Sequence, residues 1–134
     1  MPFTDDPGIG AEELLLRRIP QVQWVYDGTQ QRVRPSSAAF ADHELSVDVA
    51  GLHVAAGRTV EAPLEGHAGC ALASIAAGDA RQRAQIVCLD PEPNNAAHAL
   101  VVGKKTSGDR KHFARISSWV VDPSTVNPDW RPEP

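Results

Sequence analysis

The sequence predicts a single α+β domain: a small mixed or antiparallel β-sheet with an N-terminal hairpin, and a C-terminal amphipathic helix packed on it. Three observations lead to this prediction. The 134 residues are enough for one hydrophobic core but not for two. Short apolar or alternating runs, typical of strands, recur as far as residue 103. After residue 107 the apolar residues take up the spacing of a helix.

The two ends of the chain differ in composition from its middle. Residues 1–9 are acidic and are interrupted by Pro2, Pro7 and Gly8, which predicts a flexible tail. Residues 10–122 form the predicted domain. Residues 123–134 hold four of the eleven prolines and are predicted to be an irregular tail, although Trp130 suggests that this tail docks on the domain.

The first predicted element is a helix over residues 11–19. Glu12 and Glu13 fall in its first turn and Arg17 and Arg18 in its last, which is the order that the helix dipole favours. Pro20 would end it. The two arginines are therefore interpreted as charge complements of a helix rather than as a binding site.

A hairpin is predicted next. Residues 22–26 alternate between polar and apolar, Asp27-Gly28 suits a type I′ turn, and residues 30–34 form the returning strand. The polarity of that second strand indicates an edge position or an exposed face.

The stretch from residue 32 to residue 49 concentrates polar groups between two apolar runs. Pro35 biases Arg34 toward an extended conformation, so the strand is expected to leave its sheet there. Ser36 and Ser37 then fall in a loop, either as turn formers or, with Arg34, as an anion pocket suited to phosphate or carboxylate.

Four further segments complete the predicted sheet. Residues 45–49 alternate as a half-buried strand, and residues 51–69 form a long loop broken by glycine and proline. Residues 70–76 are predicted as a strand followed by a short helix to residue 84, although a single helix over 70–84 also fits the spacing. Residues 85–90 and 97–103 are short apolar runs that suit buried strands.

The C-terminal helix is predicted from Ser107, as its cap, to about residue 121. Phe113, Ile116 and Val120 share one of its faces, opposite Lys111.

Composition and charge limit the classes of partner. A net charge of −4 disfavours nucleic acid as a partner. No apolar run approaches the roughly 20 residues of a membrane span, and the N-terminal sequence lacks the features of a signal peptide, so a cytoplasmic protein without a membrane partner is expected. The expected partner is another protein, with a small anionic ligand as a further candidate.

Two histidines and two cysteines are candidates for a metal site: His67, Cys70, Cys88 and His98. Their spacings are His-x2-Cys and Cys-x9-His, and the second is unlike that of compact zinc sites, so neither a metal nor a cofactor is predicted. The cysteines are interpreted as small buried residues on neighbouring strands, reduced in the cytoplasm.

His98 begins an apolar strand, where it is either a hydrogen-bonded structural residue or a proton-transfer group. A hydrolase triad of Ser36 or Ser37, His98 and Asp90 can be assembled on paper, but no glycines flank the serines as in a nucleophile elbow. The catalytic candidates are therefore His98, Ser36 and Ser37.

Residues 103–108, Gly-Lys-Lys-Thr-Ser-Gly, precede the predicted C-terminal helix but lack the spacing of a phosphate loop. Lys104, Lys105 and the amides near Ser107 either hold an anion or form a solvated turn. The predicted ligand-binding residues are Arg34, Ser36, Ser37, His98 and Lys104.

Four blocks together resemble a family of small, uncharacterised bacterial proteins: residues 15–20, 34–40, 44–48 and 97–103, which read LLRRIP, RPSSAAF, ELSVD and AHALVVG. The resemblance covers most of the chain. It implies a bacterial setting and no mechanism, because no activity attaches to that family.

Three functional hypotheses follow, and whether the protein is an enzyme is left open. The first is a bacterial accessory or protein-interaction domain without a catalytic signature. The second is a small transferase or hydrolase acting on a phosphate-bearing or nucleotide-like substrate, and the third is a non-catalytic sensor of an anionic ligand. A pocket with several buried polar groups would favour the last two, and a flat apolar patch the first.

Overall fold

The computed structural model describes residues 3–132 and confirms the predicted α+β class. Residues 1–2 and 133–134, which belong to the predicted tails, lie outside the described residues. The central feature is a six-stranded antiparallel sheet. Along the chain its strands are β1 (Leu14–Pro20), β4 (Glu44–Val49), β5 (Cys70–Ala76), β6 (Ile86–Leu89), β7 (His98–Val102) and β8 (Ser118–Val121). In space their order is β6-β7-β4-β1-β5-β8.

The remaining elements flank this sheet. A separate two-stranded sheet consists of β2 (Trp24–Asp27) and β3 (Arg32–Pro35). The helices are α1 (Ala50–Ala55), α2 (Ala77–Arg81), α3 (Ser107–Ile116) and α4 (Pro123–Val126). None of the helices in residues 3–132 has the length and apolarity needed to cross a membrane.

The predicted N-terminal helix is wrong, because most of its residues form β1. This strand pairs with β4 through Leu15 and Leu16, and with β5 along its whole length. Leu15, Leu16 and Ile19 are all buried. The charges suited a helix, but neighbouring strands on both sides bond the backbone of this run, so tertiary context overrides local propensity. As strand residues, Arg17 and Arg18 point to opposite faces of the sheet.

The two faces of the large sheet are covered differently. The first face carries the main core, over which α3 and the 3-10 turn Ser37–Phe40 pack. On the second face, Leu16 and Leu72 are covered by Val60 and Leu64 from the segment that follows α1. Farther across that face, β4 and β7 carry polar residues instead, and the candidate site lies there.

The hairpin is confirmed, with a longer turn than predicted. Asp27 still belongs to β2, and four loop residues precede β3. The Asp27 carboxylate accepts hydrogen bonds from the amides of Thr29 and Gln30, and Gln31 has a φ of 52°. Pro35 is the last residue of β3 and pairs with Trp24, so the chain does not leave the strand before Pro35.

Residues 51–69 are not a loop throughout. They begin within α1 and contain a 3-10 turn, Ala62–Leu64. The alternatives for residues 70–84 are resolved in favour of a strand, β5, followed by the short helix α2. Cys70 and Cys88 are free thiols but do not lie on neighbouring strands, because β1, β4 and β7 separate β5 from β6.

The C-terminal helix is confirmed but is shorter than predicted. Its cap is Thr106 rather than Ser107, and the Thr106 and Asp109 side chains each bond the backbone amide of the other. The helix ends at Ile116 because the next residue is extended and the chain then pairs with β5. Val120 therefore lies on β8 and not on the helical face of Phe113.

The N-terminal segment is joined to the domain. The Asp5 carboxylate accepts hydrogen bonds from Arg81 Nε at 3.0 Å and from the Val87 amide at 2.8 Å. The Asp6 amide donates to the Val87 carbonyl, and Ile9 is buried. These contacts occupy the outer edge of β6, which is the last strand on that side of the sheet.

The C-terminal segment docks as Trp130 suggested. After α4, the indole of Trp130 meets that of Trp24 edge to face, with ring centroids 5.6 Å apart. Trp24 is buried under this contact and donates from Nε1 to the Ile19 carbonyl.

Candidate functional site

A cavity of about 390 Å³ opens where β1 and β4 separate. The paired register of these strands covers only Leu15 with Val49 and Leu16 with Asp48. One residue farther along, Arg17 Nη1 donates to the Ser46 carbonyl at 3.0 Å, so a side chain rather than the backbone joins the two strands. The polar residues that line the cavity are Arg17, Arg18, Ser46, Asp48, Glu92, Asn95 and His98.

Asp48 is a buried carboxylate held from two sides. Its Oδ2 lies 2.6 Å from His53 Nε2, and Asn95 Nδ2 is 3.2 Å from each carboxylate oxygen. His53 comes from α1 and is itself buried, and it does not line the cavity. The structure therefore presents Asp48 to the cavity as an acceptor of fixed orientation.

His98 is the partner of Asp48 on the neighbouring strand β7. Its Nδ1 lies 2.9 Å from the Asp90 carbonyl oxygen and 3.2 Å from Asp90 Oδ2. A carbonyl oxygen can only accept, so Nδ1 carries the hydrogen. In the neutral ring Nε2 then holds the lone pair. The contact between His98 and Asp90 that the hypothetical hydrolase triad requires is therefore present.

Arg18, like Arg17, contributes positive charge to the cavity. It lies on β1 and is partly buried. Its Nη1 donates to the Pro63 carbonyl at 3.3 Å, and no acceptor within residues 3–132 bonds its Nε or Nη2. The guanidinium is therefore available to an anion in the cavity. Glu92 and Asp48 also line the cavity, and they add negative charge to it.

Arg34 is part of an ion pair in the hairpin. Its Nε donates to Asp27 Oδ2 at 2.7 Å, and its Nη1 donates to the Pro35 carbonyl at 2.8 Å. The bond from Arg34, together with the amides of Thr29 and Gln30, lowers the pKa of the Asp27 carboxyl below its usual value. Arg34 therefore forms a structural ion pair with Asp27, which the sequence-based prediction of an anion pocket at Arg34 did not anticipate.

The two predicted serines lie at a turn. The Ser36 amide donates to the Gln23 carbonyl, and the Ser36 carbonyl accepts from the Ala39 amide at the start of the turn Ser37–Phe40. Neither serine and no atom of Arg34 lines the cavity with His98. The structure does not bring them together because β3 belongs to the small sheet and β7 to the large one.

The segment before α3 is also arranged differently from the predicted anion site. Lys104 is exposed, whereas Lys105 is buried and its Nζ donates to the carbonyls of His43, Val101 and Gly103. The Thr106 and Asp109 side chains already bond two amides at the helix start. Lys104 is not among the residues that line the cavity with His98.

The sequence interpretation missed Arg18, Ser46, Asp48, His53 and Asn95. One signal was present: Ser46 and Asp48 alternate with buried Leu45 and Val47, which predicts a polar face on β4. Which other strands share that face is a property of the tertiary structure.

The described part of the chain contains no group of three or more His, Cys, Asp or Glu side chains placed to hold a metal ion. No protein-family model matches the sequence, and neither a curated protein nor a solved structure shows significant similarity to it. The resemblance to a bacterial family therefore stays a prediction, and the function is argued from the cavity alone.

Proposed function

We propose that this domain binds a small ligand with a phosphate or carboxylate group in the cavity between β1 and β4. Arg18 pairs with the anionic group. Asp48 accepts a hydrogen bond from a hydroxyl or amino group of the same ligand. The proposal covers both the sensor hypothesis and the transferase or hydrolase hypothesis.

The observation that carries this proposal is the meeting of Arg18, from β1, with Asp48 and His98, from β4 and β7, around one cavity. Asp48 and His98 are both more than nine-tenths buried. Buried polar groups are costly unless they are bonded, and here His53, Asn95 and Asp90 bond them in fixed orientations. Such an arrangement is typical of a binding site.

The size and mixed charge of the cavity indicate the class of ligand. Its volume of about 390 Å³ lies at the lower end of the range for small-molecule sites. A simple anion would pair with Arg18 but would offer Asp48 no hydrogen-bond donor from the ligand. A sugar phosphate or a mononucleotide offers both an anion and hydroxyl donors, and so fits better than phosphate alone.

Thermal unfolding in the presence of inorganic phosphate, ribose 5-phosphate and AMP tests the proposal. A ligand at 100 times its Kd stabilises the native state by about 2.7 kcal/mol, so the melting temperature should rise with concentration. Arg18→Gln should abolish this rise, while the same change at the exposed Arg58 should leave it intact. Equal shifts for both variants, or no shift with any of the three probes, would refute the proposal.

A bacterial accessory or protein-interaction domain is a second candidate, and a separate observation favours it. Val22 is 90% exposed and Tyr26 is 53% exposed beside a groove that Trp24 and Trp130 also line. Exposed apolar side chains of this kind are typical of contact surfaces. The simplest partner is a second copy of the chain. Sedimentation at rising concentration should then show association that Val22→Ser removes without changing the melting temperature.

We also propose that the protein is cytoplasmic. Free Cys70 and Cys88 support it, because thiols stay reduced in that compartment.

A further inference from the structure

We propose that His98 is a nucleophile whose Nε2 accepts a phosphoryl group from a phosphate ester or phosphoramidate bound in the cavity. This inference rests on the proposed binding of anions there. It adds a reaction and a substrate class to that binding.

The hydrogen bonds of His98 leave a lone pair on Nε2, which attack on phosphorus requires. The Asp90 carbonyl, 2.9 Å from Nδ1, fixes the hydrogen on that nitrogen, so the lone pair of the neutral ring lies on Nε2. Asp90 does not line the cavity, whereas His98 does. Within residues 3–132 no hydrogen bond is made by Nε2, so it is the ring nitrogen left open to a ligand in the cavity.

The surroundings of Nε2 favour direct attack over activation of another side chain. Two side chains of the cavity carry a hydroxyl or a thiol that a histidine could activate as a nucleophile, Ser46 and Cys70. Neither makes a hydrogen bond to His98 in the structure of residues 3–132, so the contact that defines a Ser-His or Cys-His pair is absent there. The attack is therefore assigned to Nε2, which carries the free lone pair.

The charges around the ring suit transfer of a phosphoryl group. Formation of a nitrogen–phosphorus bond makes the ring a cation, which the Asp90 carboxylate, 3.2 Å from Nδ1, stabilises. Arg18 neutralises the oxygens of the phosphoryl group. Asp48 is opposite His98, but its charge is partly satisfied by His53 and Asn95, which reduces its repulsion of the substrate.

The reaction has two steps, and neither needs an oxidant or a reductant. In the first, the Nε2 lone pair attacks phosphorus, the bond from phosphorus to the leaving oxygen breaks, and that oxygen takes a proton from solvent. In the second, a water oxygen attacks the same phosphorus and the nitrogen–phosphorus bond breaks. Inorganic phosphate leaves, and the neutral ring of His98 is restored.

Phosphoramidate tests the first step on the native protein without knowledge of the natural substrate. Attack by Nε2 breaks the nitrogen–phosphorus bond of the reagent and releases ammonia. Mass spectrometry of the intact chain, followed by peptide mapping at neutral or alkaline pH, locates the phosphoryl group. The exposed His43 and His67 are internal controls for unassisted labelling.

We expect His98 to be labelled at least ~10-fold faster than His43 or His67, because the bound reagent is held beside it. Arg18→Gln should remove this preference. Asp90→Asn retains the backbone carbonyl but lacks the carboxylate, so it should slow the labelling of His98 while leaving the control histidines unchanged. The His98→Asn variant should lose the fast labelling at residue 98 and keep the slower labelling of His43 and His67.

The outcomes separate this inference from the function on which it rests. Unmodified or unselectively modified His98, in a protein that inorganic phosphate still stabilises, overturns the nucleophile and leaves anion binding in place. A protein that is stabilised by none of phosphate, ribose 5-phosphate and AMP, and that is not labelled at His98, loses both proposals. Preferred labelling that survives Arg18→Gln would show that the anion is not held by Arg18, and would also overturn the proposed mechanism.

Discussion

Replacing Phe113 by alanine should be among the most destabilising single changes in this protein. Phe113 lies on α3 and is fully buried in the core of the first sheet face. Its ring centroid is 6.2 Å from that of Phe40, which belongs to the 3-10 turn that α3 packs against. The side chain therefore holds both a helix and a turn on the sheet.

The expected cost follows from this environment. Truncation of a buried phenylalanine costs about 3–5 kcal/mol, which includes the cavity left behind. The aromatic contact with Phe40 contributes about 0.5–1.5 kcal/mol of such a loss. Because Phe113 is wholly buried and keeps that contact, we expect a value of about 4 kcal/mol or more, which is a large part of the 5–15 kcal/mol typical of a domain.

Urea unfolding followed by tryptophan fluorescence provides the measurement. Lys111 lies two residues away on the same helix and is exposed, so Lys111→Ala is the matched control and should stay within about 0.5 kcal/mol. Phe113→Leu should fall between the two, which keeps the comparison informative if the alanine variant does not fold.

A double-mutant cycle with Phe40→Leu isolates the aromatic contact, and we expect a coupling energy of about 0.5–1.5 kcal/mol. Equal costs for Phe113→Ala and Lys111→Ala would show that the buried face of α3 is assigned wrongly. Zero coupling to Phe40 would remove the contact with the turn from the explanation.

Three further predictions concern buried charge and the two thiols. Burial lowers the pKa of Lys105 from 10.5 to about 8, so the unfolded chain binds more protons between these values. The stability of the wild type relative to Lys105→Met should therefore rise with pH from about 8 to 10.5 in urea unfolding, and a flat difference would refute this. His53→Leu leaves the buried Asp48 without its closest partner and should cost about 3 kcal/mol or more, whereas the same change at exposed His67 should cost under about 0.5 kcal/mol. Melting curves recorded with a chelator and with a reductant should superimpose on the untreated curve, and a large loss of stability with chelator would revive the metal hypothesis.

Local sequence patterns were sufficient to predict those strands and helices that are stabilised mainly by their own residues. The apolar runs at residues 86–89 and 98–102 are strands as predicted, and Trp24–Asp27 belongs to a hairpin as predicted, although Gln21–Gln23, where the alternation begins, is a 3-10 turn. The helix around Phe113 was predicted from its apolar face. Its end at Ile116 was not, because pairing of β8 with β5, a contact distant in sequence, takes over there.

The first strand shows where local reasoning fails. Its acidic start and basic end match a helix, and nothing within residues 11–19 reveals that β4 and β5 lie on either side. Pairing with β5 along the strand, and with β4 at Leu15 and Leu16, satisfies backbone groups of this run, and burial of Leu15 and Ile19 adds to the preference. The strand partners of this run lie more than 30 residues away along the chain.

The same reasoning explains the candidate site. The sequence alone identified His98 as a polar residue at the start of a buried strand, and it indicated one polar face on β4. Only the tertiary structure placed Arg18 and Asp48 beside His98, and paired Arg34 with Asp27 instead. Strand order and register decide which side chains share a face. They are set by packing of the whole core, and no short stretch of sequence records them.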